Sequence, residues 1–321
     1  MKIGNLDIYG NVFLAPMAGI TDTPFRRLVQ GFGVSAVWTE MLSAAAVVGN
    51  RGVFRTVDLE GHLVPTIFQI SGKDPKVMAE AALRVQDMGA AAVDVNMGCP
   101  ARKIVGKGEG AALMKDVSLA GRLIAEIRKV LTVPLTAKIR SGWDDTCQNA
   151  TEMAKVLESE GVDALIVHPR SRSRRHSGPP ALSVIRQVTE SVKIPVIGNG
   201  GILEVQDAVT MVDEAKCDGV MVGRGALGRP WLPGRILVHF GLSPNGSSRF
   251  TSFFEVIRQH LEMQIQWWGA LGAVLRMRKH LAWYSRNFPG GAEFRKNVFR
   301  LEDPDEVLDC VEKFFGKVTI I

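Results

Sequence analysis

The segment Gly161-Val-Asp-Ala-Leu-Ile-Val-His168 is an apolar run, rich in branched side chains, that ends on a polar residue. Such a run is typical of a strand in a parallel sheet, because helices cover both faces of that kind of sheet. Short segments similar to its first residues, Gly161-Val-Asp163, open the apolar runs at 93–97 and 219–223. A second kind of strand opening has proline at the first strand position, where it is tolerated. It occurs at Val64-Pro65, Val133-Pro134 and Ile194-Pro195.

The two openings alternate, and each returns after roughly 55–72 residues, which indicates a weak internal repeat of a βαβα unit. Together with Val12–Pro16 and Val34–Glu40 they give eight strands, separated by helical segments such as Pro75–Met88 and Val117–Val130. This pattern predicts a (β/α)8 TIM barrel over residues 1–240. A doubly wound open sheet is the alternative, but it requires no such repeat.

The last part of the chain has a different pattern. Gly241–Ser248 is rich in Gly, Pro, Asn and Ser, which predicts a domain boundary. We therefore expect residues 241–321 to form a small helical-bundle domain. Helical periodicity recurs there at about Phe253–Trp268, Gly272–Phe288, Phe294–Phe299 and Asp305–Phe315.

Composition narrows the class of protein. The 321 residues are 46% hydrophobic and 22% charged, as expected for a globular enzyme. The four cysteines form no Cys-x-x-Cys pair, so no metal site and no disulfide framework is predicted. No apolar run reaches the roughly 20 residues of a membrane helix, and residues 1–5 lack a secretory signal. The expectation is a cytoplasmic protein; the oligomeric state is not readable, and a monomer is favoured.

Positive charge is clustered rather than spread. Seven Lys or Arg fall between Arg276 and Arg300, against the single acid Glu293. A second cluster comprises Arg170, Arg172, Arg174 and Arg175. Clustered basic charge indicates a phosphate-bearing partner, although a solvated helix face would look the same by charge alone.

Polar or unusual residues recur where the predicted strands end, which is where barrels carry their reacting groups. They are Met17, Gln69, Asn96 with Cys99, Lys138 with Arg140, His168, Asn199 and Arg224. The connection after Cys99 is longer than the others and rich in Gly and Lys over residues 101–110. Such a connection at a barrel mouth predicts a mobile active-site loop.

Four motifs together resemble the tRNA-dihydrouridine synthases, and most closely their bacterial B-type branch. They are Ala15-Pro-Met-Ala-Gly-Ile-Thr-Asp22, Asn96-Met-Gly-Cys-Pro-Ala101, Lys138-Ile-Arg-Ser-Gly142 and Gly223-Arg224. The resemblance covers essentially the whole chain, including Arg278–Tyr284 and Phe294-Arg295 in the predicted helical domain. The motif around Cys99 is highly specific, whereas the Gly-Arg pair alone would be weak.

The resemblance implies FMN as cofactor. It implies flavin-ring contacts from Pro16, Met17, Ala18, Gln69, Lys138 and His168. It also implies a phosphate cradle of Asn199, Gly200, Gly201, Gly223 and Arg224, in which backbone N–H groups and one Arg meet the charge. The family usually has Asn-Gly-Asp where this chain has Asn199-Gly200-Gly201, so any hydrogen bond from that carboxylate is lost.

The implied reaction is the reduction of uracil in RNA. The C5=C6 bond of uracil is conjugated to the C4 carbonyl, so hydride is expected at C6 and a proton at C5. The resemblance makes Cys99 the proton donor, and a cysteine thiol is mostly protonated at neutral pH. Asn96 matches a position that holds the base, and Lys138 or Arg140 could stabilise the developing oxyanion. The expected reductant is NADPH or NADH.

A uridine inside folded RNA must leave its stack to reach a barrel mouth. The basic stretch of the helical domain is therefore expected to contact tRNA, or rRNA as the less favoured substrate, through Arg276, Arg278, Lys279, Arg286 and Arg295. Aromatic residues of that domain could stack on bases but more often form a core; they are Trp267, Trp268, Trp283 and Tyr284. The alternatives are an FMN barrel acting on a free pyrimidine, as in dihydroorotate dehydrogenases, and a non-catalytic RNA-binding protein.

Overall fold

The computed structural model describes residues 1–50, 57–243 and 250–320. Within them, eight parallel strands close into a barrel, because the last strand pairs with the first in parallel register, Val220 opposite Val12. The (β/α)8 prediction is confirmed. The barrel strands are β3 (Val12–Leu14), β4 (Ala36–Trp38), β6 (Thr66–Ser71), β7 (Ala92–Asn96), β8 (Leu135–Arg140), β9 (Ala164–His168), β10 (Val196–Asn199) and β11 (Gly219–Val222). Outside these eight, β1 (Lys2–Ile3) and β2 (Leu6–Asp7) form an antiparallel pair, and the short β5 (Leu42–Ser43) pairs with β6.

Helices follow the strands and cover the outside of the barrel. Several begin at side-chain caps: Asp22, Asp74 and Asp116 each accept a backbone N–H of the first helical turn. The barrel helices are α1 (Thr23–Gly31), α2 (Ala44–Val48), α3 (Pro75–Asp87), α4 (Arg102–Val105), α5 (Val117–Arg128), α6 (Ala150–Ser159), α7 (Leu182–Thr189), α8 (Val205–Ala215) and α9 (Leu232–His239). None of the described helices combines the length and apolar character that crossing a membrane requires.

The apolar residues form two layers of core. One lies between strands and helices and continues under the C-terminal helices. The other fills the barrel interior, where Phe13 meets Trp38 edge-on with ring centroids 5.6 Å apart. The antiparallel pair β1–β2 contributes Ile3 to this interior layer and, with the adjacent Ile8, closes the end of the barrel opposite the strand carboxyl ends.

In the part of the chain that the structure describes, four helices follow the barrel: α10 (Phe253–Trp268), α11 (Ala270–Tyr284), α12 (Gly291–Val298) and α13 (Pro304–Phe315). They agree with the predicted helical segments to within a few residues. Helix α10 lies against α1, and Gln264 donates to the buried carboxylate of Asp22 at 3.1 Å. Most of the predicted boundary, residues 244–248, lies outside the described residues, so a division at residue 240 stays a prediction.

The long connection after Cys99 has a folded conformation. It contains α4 and a 3-10 helix at Gly110–Lys115. The backbone N–H of Ala111 returns to the carbonyl oxygen of Cys99 at 3.0 Å. At Gly110, which has φ +61°, a Cβ would lie 2.9 Å from that same oxygen, so glycine permits the close return. The predicted mobility of this loop stays a prediction.

Candidate active site at the barrel mouth

A cavity of about 740 Å³ opens at the carboxyl ends of the strands. Every residue that the sequence assigned to catalysis or FMN binding lines it, as do three of the residues assigned to the substrate. The first group is Cys99, Pro16, Met17, Ala18, Gln69, Lys138, His168, Asn199, Gly200, Gly201, Gly223 and Arg224; the second is Asn96, Arg140 and Arg286. A parallel barrel produces this convergence because its strand ends share one rim.

Amide side chains line one side of the cavity floor. Asn96 donates from Nδ2 to Oε1 of Gln69 at 2.8 Å, and Gln69 donates from Nε2 to Asp94 at 2.7 Å. The hydroxyl of Thr136 donates to the other oxygen of Asp94 at 2.6 Å. Burial raises the pKa of Asp94 to about 6, while the hydrogen bonds from Thr136 and Gln69 act in the opposite direction.

Lys138 supplies a cation on the floor. Its Nζ donates to Oδ1 of Asn199 at 2.6 Å, and Asn199 in turn donates to the carbonyl of Met221 at 2.7 Å. Burial, followed by repulsion from Arg140, lowers the pKa of Lys138 to about 7, and Asp94 opposes that shift. The amine can therefore gain or lose a proton near neutral pH.

Cys99 sits on a turn that is held from both sides. Oδ1 of Asn96 accepts the backbone N–H groups of Gly98 at 3.2 Å and Cys99 at 2.9 Å. Arg140 donates from Nε to the carbonyl of Gly98 at 2.6 Å. Its Nη1 donates to three further backbone carbonyls, those of Arg170, Ser171 and Arg175. Arg140 therefore joins the Cys99 turn to the loop that follows β9.

Two further glycines line the cavity at positions where no side chain fits. Gly200 and Gly201 have φ of +113° and +86°. A Cβ on Gly200 would lie 2.8 Å from Nε2 of His168, and a Cβ on Gly201 would lie 2.9 Å from Cγ of Pro180. Burial lowers the pKa of His168 well below its ordinary value, so its imidazole is neutral. Its Nδ1 has no hydrogen-bond partner among the described residues.

The family model for dihydrouridine synthases (Dus) matches residues 13–319. The chain belongs to the dihydrouridine synthase family.

Full-length relatives agree with this assignment. The chain is 38% identical to a probable tRNA-dihydrouridine synthase of Rickettsia conorii, over 99% of this chain and 97% of the relative. It is 38% identical to tRNA-dihydrouridine synthase B of Xanthomonas axonopodis pv. citri, over 98% of this chain and 96% of the relative. It is 34% identical to tRNA-dihydrouridine synthase B of Pseudomonas aeruginosa, over 99% and 96% respectively.

Solved structures share the fold at low sequence identity. Morphinone reductase in complex with tetrahydroNAD superposes with a TM-score of 0.53 at 14% identity, covering 78% of this chain and 92% of that one. A 2-naphthoyl-CoA reductase complex gives 0.58 at 16% identity, covering 75% and 52%. At such identities the likeness concerns the barrel alone.

The basic residues predicted to contact RNA differ in their surroundings, and some of them are engaged in contacts within the protein. Arg286 is exposed and lines the cavity beside Trp283. Lys279 donates to the carbonyl of Gly19 in the barrel, and the guanidinium of Arg276 lies 3.7 Å from the ring centroid of Trp268. The other two bond within the C-terminal helices: Arg278 to the carbonyl of Leu301 at 3.3 Å, and Arg295 to Oγ of Ser285 at 3.1 Å.

Some cavity residues were not predicted as site residues. His176 lines the rim, and its ring centroid is 5.7 Å from that of His168. Met41 directly follows the predicted second strand, which is the one signal that could have identified it. Tyr284, for which the sequence allowed either stacking on a base or packing in a core, is buried in the core with 1% of its surface exposed.

Proposed function

We propose that this chain uses FMN to reduce the C5=C6 bond of uridines in tRNA to 5,6-dihydrouridine, with NADPH or NADH as the source of electrons. Membership of the dihydrouridine synthase family and the names of its relatives support the reaction. One observation carries the proposal: the partly exposed thiol of Cys99 shares a single cavity with the half-buried amine of Lys138 and a glycine cradle.

The residues of the cavity fit FMN. The cavity has a volume of about 740 Å³, which lies within the range usual for cofactor sites. The free Nδ1 of His168 is a buried polar atom that a ligand can satisfy. Gly200 and Gly201 line the cavity without a side chain, so their backbone N–H groups would be available to a phosphate, and Arg224 lines the same cavity. Pro16, Met17 and Ala18 would hold the flat ring, with Lys138 and Gln69 at its polar edge.

FMN, once bound and reduced, supplies a hydride equivalent to the uracil ring. The thiol of Cys99 holds the proton for C5, and Asn96, three residues earlier, holds the base. Lys138 is better placed than Arg140 to stabilise charge on the uracil oxygen, because Arg140 donates through Nε and Nη1 to four backbone carbonyls.

The RNA substrate accounts for the C-terminal helices. An extruded uridine enters from the rim, where Arg286 can contact phosphate and Trp283 can contact a base. We assign residues 241–321 to RNA binding and residues 1–240 to catalysis. The availability of tRNA implies that the protein works in the cytoplasm. A free pyrimidine needs no such basic surface.

The test is a reconstituted reaction. The protein is loaded with FMN, supplied with NADPH or NADH, and offered tRNA transcripts that contain no dihydrouridine, with free uridine and orotate as control substrates. Mass spectrometry of the digested RNA should show dihydrouridine, and neither free pyrimidine should be reduced at a comparable rate. Reduction of orotate but not of tRNA, or failure to retain FMN, would overturn the proposal.

A further inference from the structure

Asp94 lies inside the barrel, in the middle of β7, with none of its surface exposed. It is not one of the residues that line the cavity. A buried carboxyl group is costly unless its oxygens are hydrogen-bonded. Both oxygens are, one to the hydroxyl of Thr136 and one to the side-chain amide of Gln69. The position therefore calls for an explanation other than contact with a ligand.

Asp94, Gln69 and Asn96 form a chain of hydrogen bonds in which every donor points toward Asp94. An ionised carboxylate can only accept, so Gln69 must turn Nε2 toward Asp94 and Oε1 toward Asn96. Asn96 must then turn Nδ2 toward Gln69. Its Oδ1 is thereby left to accept the backbone N–H groups of Gly98 and Cys99. Each amide has one donating and one accepting end, so the acceptor at Asp94 and the backbone N–H donors at the other end favour the same orientation of both amides.

We propose that Asp94 is a positioning residue for Cys99: as the accepting end of this chain, it orients the amides of Gln69 and Asn96 and thereby fixes the turn that carries the thiol. The inference rests on the proposed role of Cys99 as proton donor. Without an acceptor at position 94, Nε2 of Gln69 loses its partner and the Gln69 side chain is free to rotate. Oε1 of Gln69 then no longer holds Nδ2 of Asn96, so the amide that accepts the N–H groups of Gly98 and Cys99 is held from one end only and the turn loosens.

Two other roles for Asp94 predict different results. Asp94 could act through charge, because it favours the protonated form of Lys138. It could also act only on the stability of the fold. Substitution by asparagine separates the first role from positioning, because the new side chain lacks the charge but keeps an oxygen. The hydroxyl of Thr136 can accept an N–H from the introduced amide, which leaves the amide oxygen facing Gln69.

The experiment compares D94L with D94N in the FMN-loaded protein at pH 8, where the carboxyl group is ionised. Positioning predicts that D94L lowers kcat for tRNA about 10- to 100-fold, with KM for tRNA within about threefold of the parent. D94N should retain kcat within about threefold. T136V is the matched control: it removes the other partner of Asp94 but leaves the bond to Gln69, so kcat should stay within about threefold.

A second measurement does not depend on turnover. In a C147S/C310S background, in which Cys217 is buried, the rate of Cys99 alkylation by iodoacetamide reports how the turn is held. D94L should raise this rate about threefold or more, because the turn loosens, and D94N and T136V should not. If D94L does not fold, Q69L interrupts the same chain one link later and should raise the alkylation rate equally.

Three outcomes overturn the inference. One is D94L with parental kcat and alkylation rate. Another is D94N as impaired as D94L, which assigns Asp94 an electrostatic role. The third is a D94L effect on kcat that persists in full in an N96A background, since residues acting through one another are not additive. A parent protein that does not reduce tRNA would refute the proposed function instead, and the alkylation comparison would still decide the positioning role.

Discussion

Lys138 and Asn199 join the ends of β8 and β10 through a hydrogen bond of 2.6 Å from Nζ to Oδ1. Asn199 is fixed in this orientation because its Nδ2 donates to the carbonyl of Met221. The bond gives Lys138 one partner, and burial still lowers its pKa to about 7. An amine at this point can respond to a bound anion by taking up a proton, which suits it to a pyrimidine ring that gains negative charge.

The lowered pKa of Lys138 predicts a pH dependence of stability. Between pH 7 and 10 the unfolded chain binds a proton at this lysine that the folded chain lacks, so the free energy of unfolding should rise with pH, by at most about 1.4 kcal/mol per unit. K138M has no such group. In urea unfolding of the FMN-free proteins, the parent should gain stability relative to K138M from pH 7.5 to 9.5. If the free energies of unfolding of the parent and K138M changed equally with pH, the lowered pKa of Lys138 would be contradicted.

The glycine cradle predicts a difference between two alanine substitutions. Gly200 and Gly178 both have positive φ, but a Cβ would meet His168 at 2.8 Å only at Gly200, while nothing lies within 4 Å at Gly178. G178A should cost about 1–2 kcal/mol of stability from the backbone alone, and G200A should cost more, because φ +113° lies outside the left-handed helical region. G200A should also weaken FMN binding roughly tenfold, or about 1.4 kcal/mol, as measured by quenching of flavin fluorescence. Equal FMN affinities in G200A and G178A would be inconsistent with a cradle at Gly200.

The contacts of Asp22 predict that it contributes to the attachment of helix α10 to the barrel. It caps α1 and also accepts N–H groups from Gln264 at 3.1 Å and Trp268 at 3.4 Å. D22A should therefore cost about 2–4 kcal/mol in urea unfolding, because it removes a cap and the buried acceptor shared by two side chains of α10. Asp74 caps α3 on an exposed face, and D74A should cost only about 1 kcal/mol. Similar losses in the two variants would show that the contacts to α10 add nothing.

Arg286 predicts a measurable contribution to RNA binding. It is exposed at the rim of the cavity. R286A should raise KM for tRNA and lower the slope of log affinity against log salt by about 1, with little change in the reduction of FMN by NADPH. K129A is the control, because Lys129 is exposed at the end of α5 and paired with Glu126. An unchanged salt slope in R286A would remove Arg286 from the RNA contacts.

Much of the barrel could be predicted because its strands carry local signals. Pro65, Pro134 and Pro195 each stand one residue before an observed strand, since proline fits the first position but donates no hydrogen bond to the sheet. The pair β1–β2 could not be predicted, because strands of two residues show no periodicity. Its role in closing the barrel depends on contacts of Ile3 that are distant in sequence.

The candidate site likewise contains residues that could be located from the sequence and residues that could not. Residues at strand ends converge because the barrel rim brings them together, so the positions from Gln69 to Arg224 could be located once the strands were known. The basic stretch was less informative. Charge along the sequence does not tell which face a helix presents, and Arg278 and Arg295 bond to their own domain. In the sequence, Asp94 ends the short segment that leads into a predicted strand, and nothing local marks it further, because its contacts come from Gln69 and Thr136 on neighbouring strands.

The most direct test of the account is the rate at which the FMN-loaded protein, reduced with NADPH, converts uridine to dihydrouridine in tRNA, compared between the parent and C99A. Removing the proton donor should slow conversion by about 10²- to 10⁴-fold, while C99A retains FMN and its flavin is reduced at the parental rate. A C99A protein that forms dihydrouridine as fast as the parent would contradict the account.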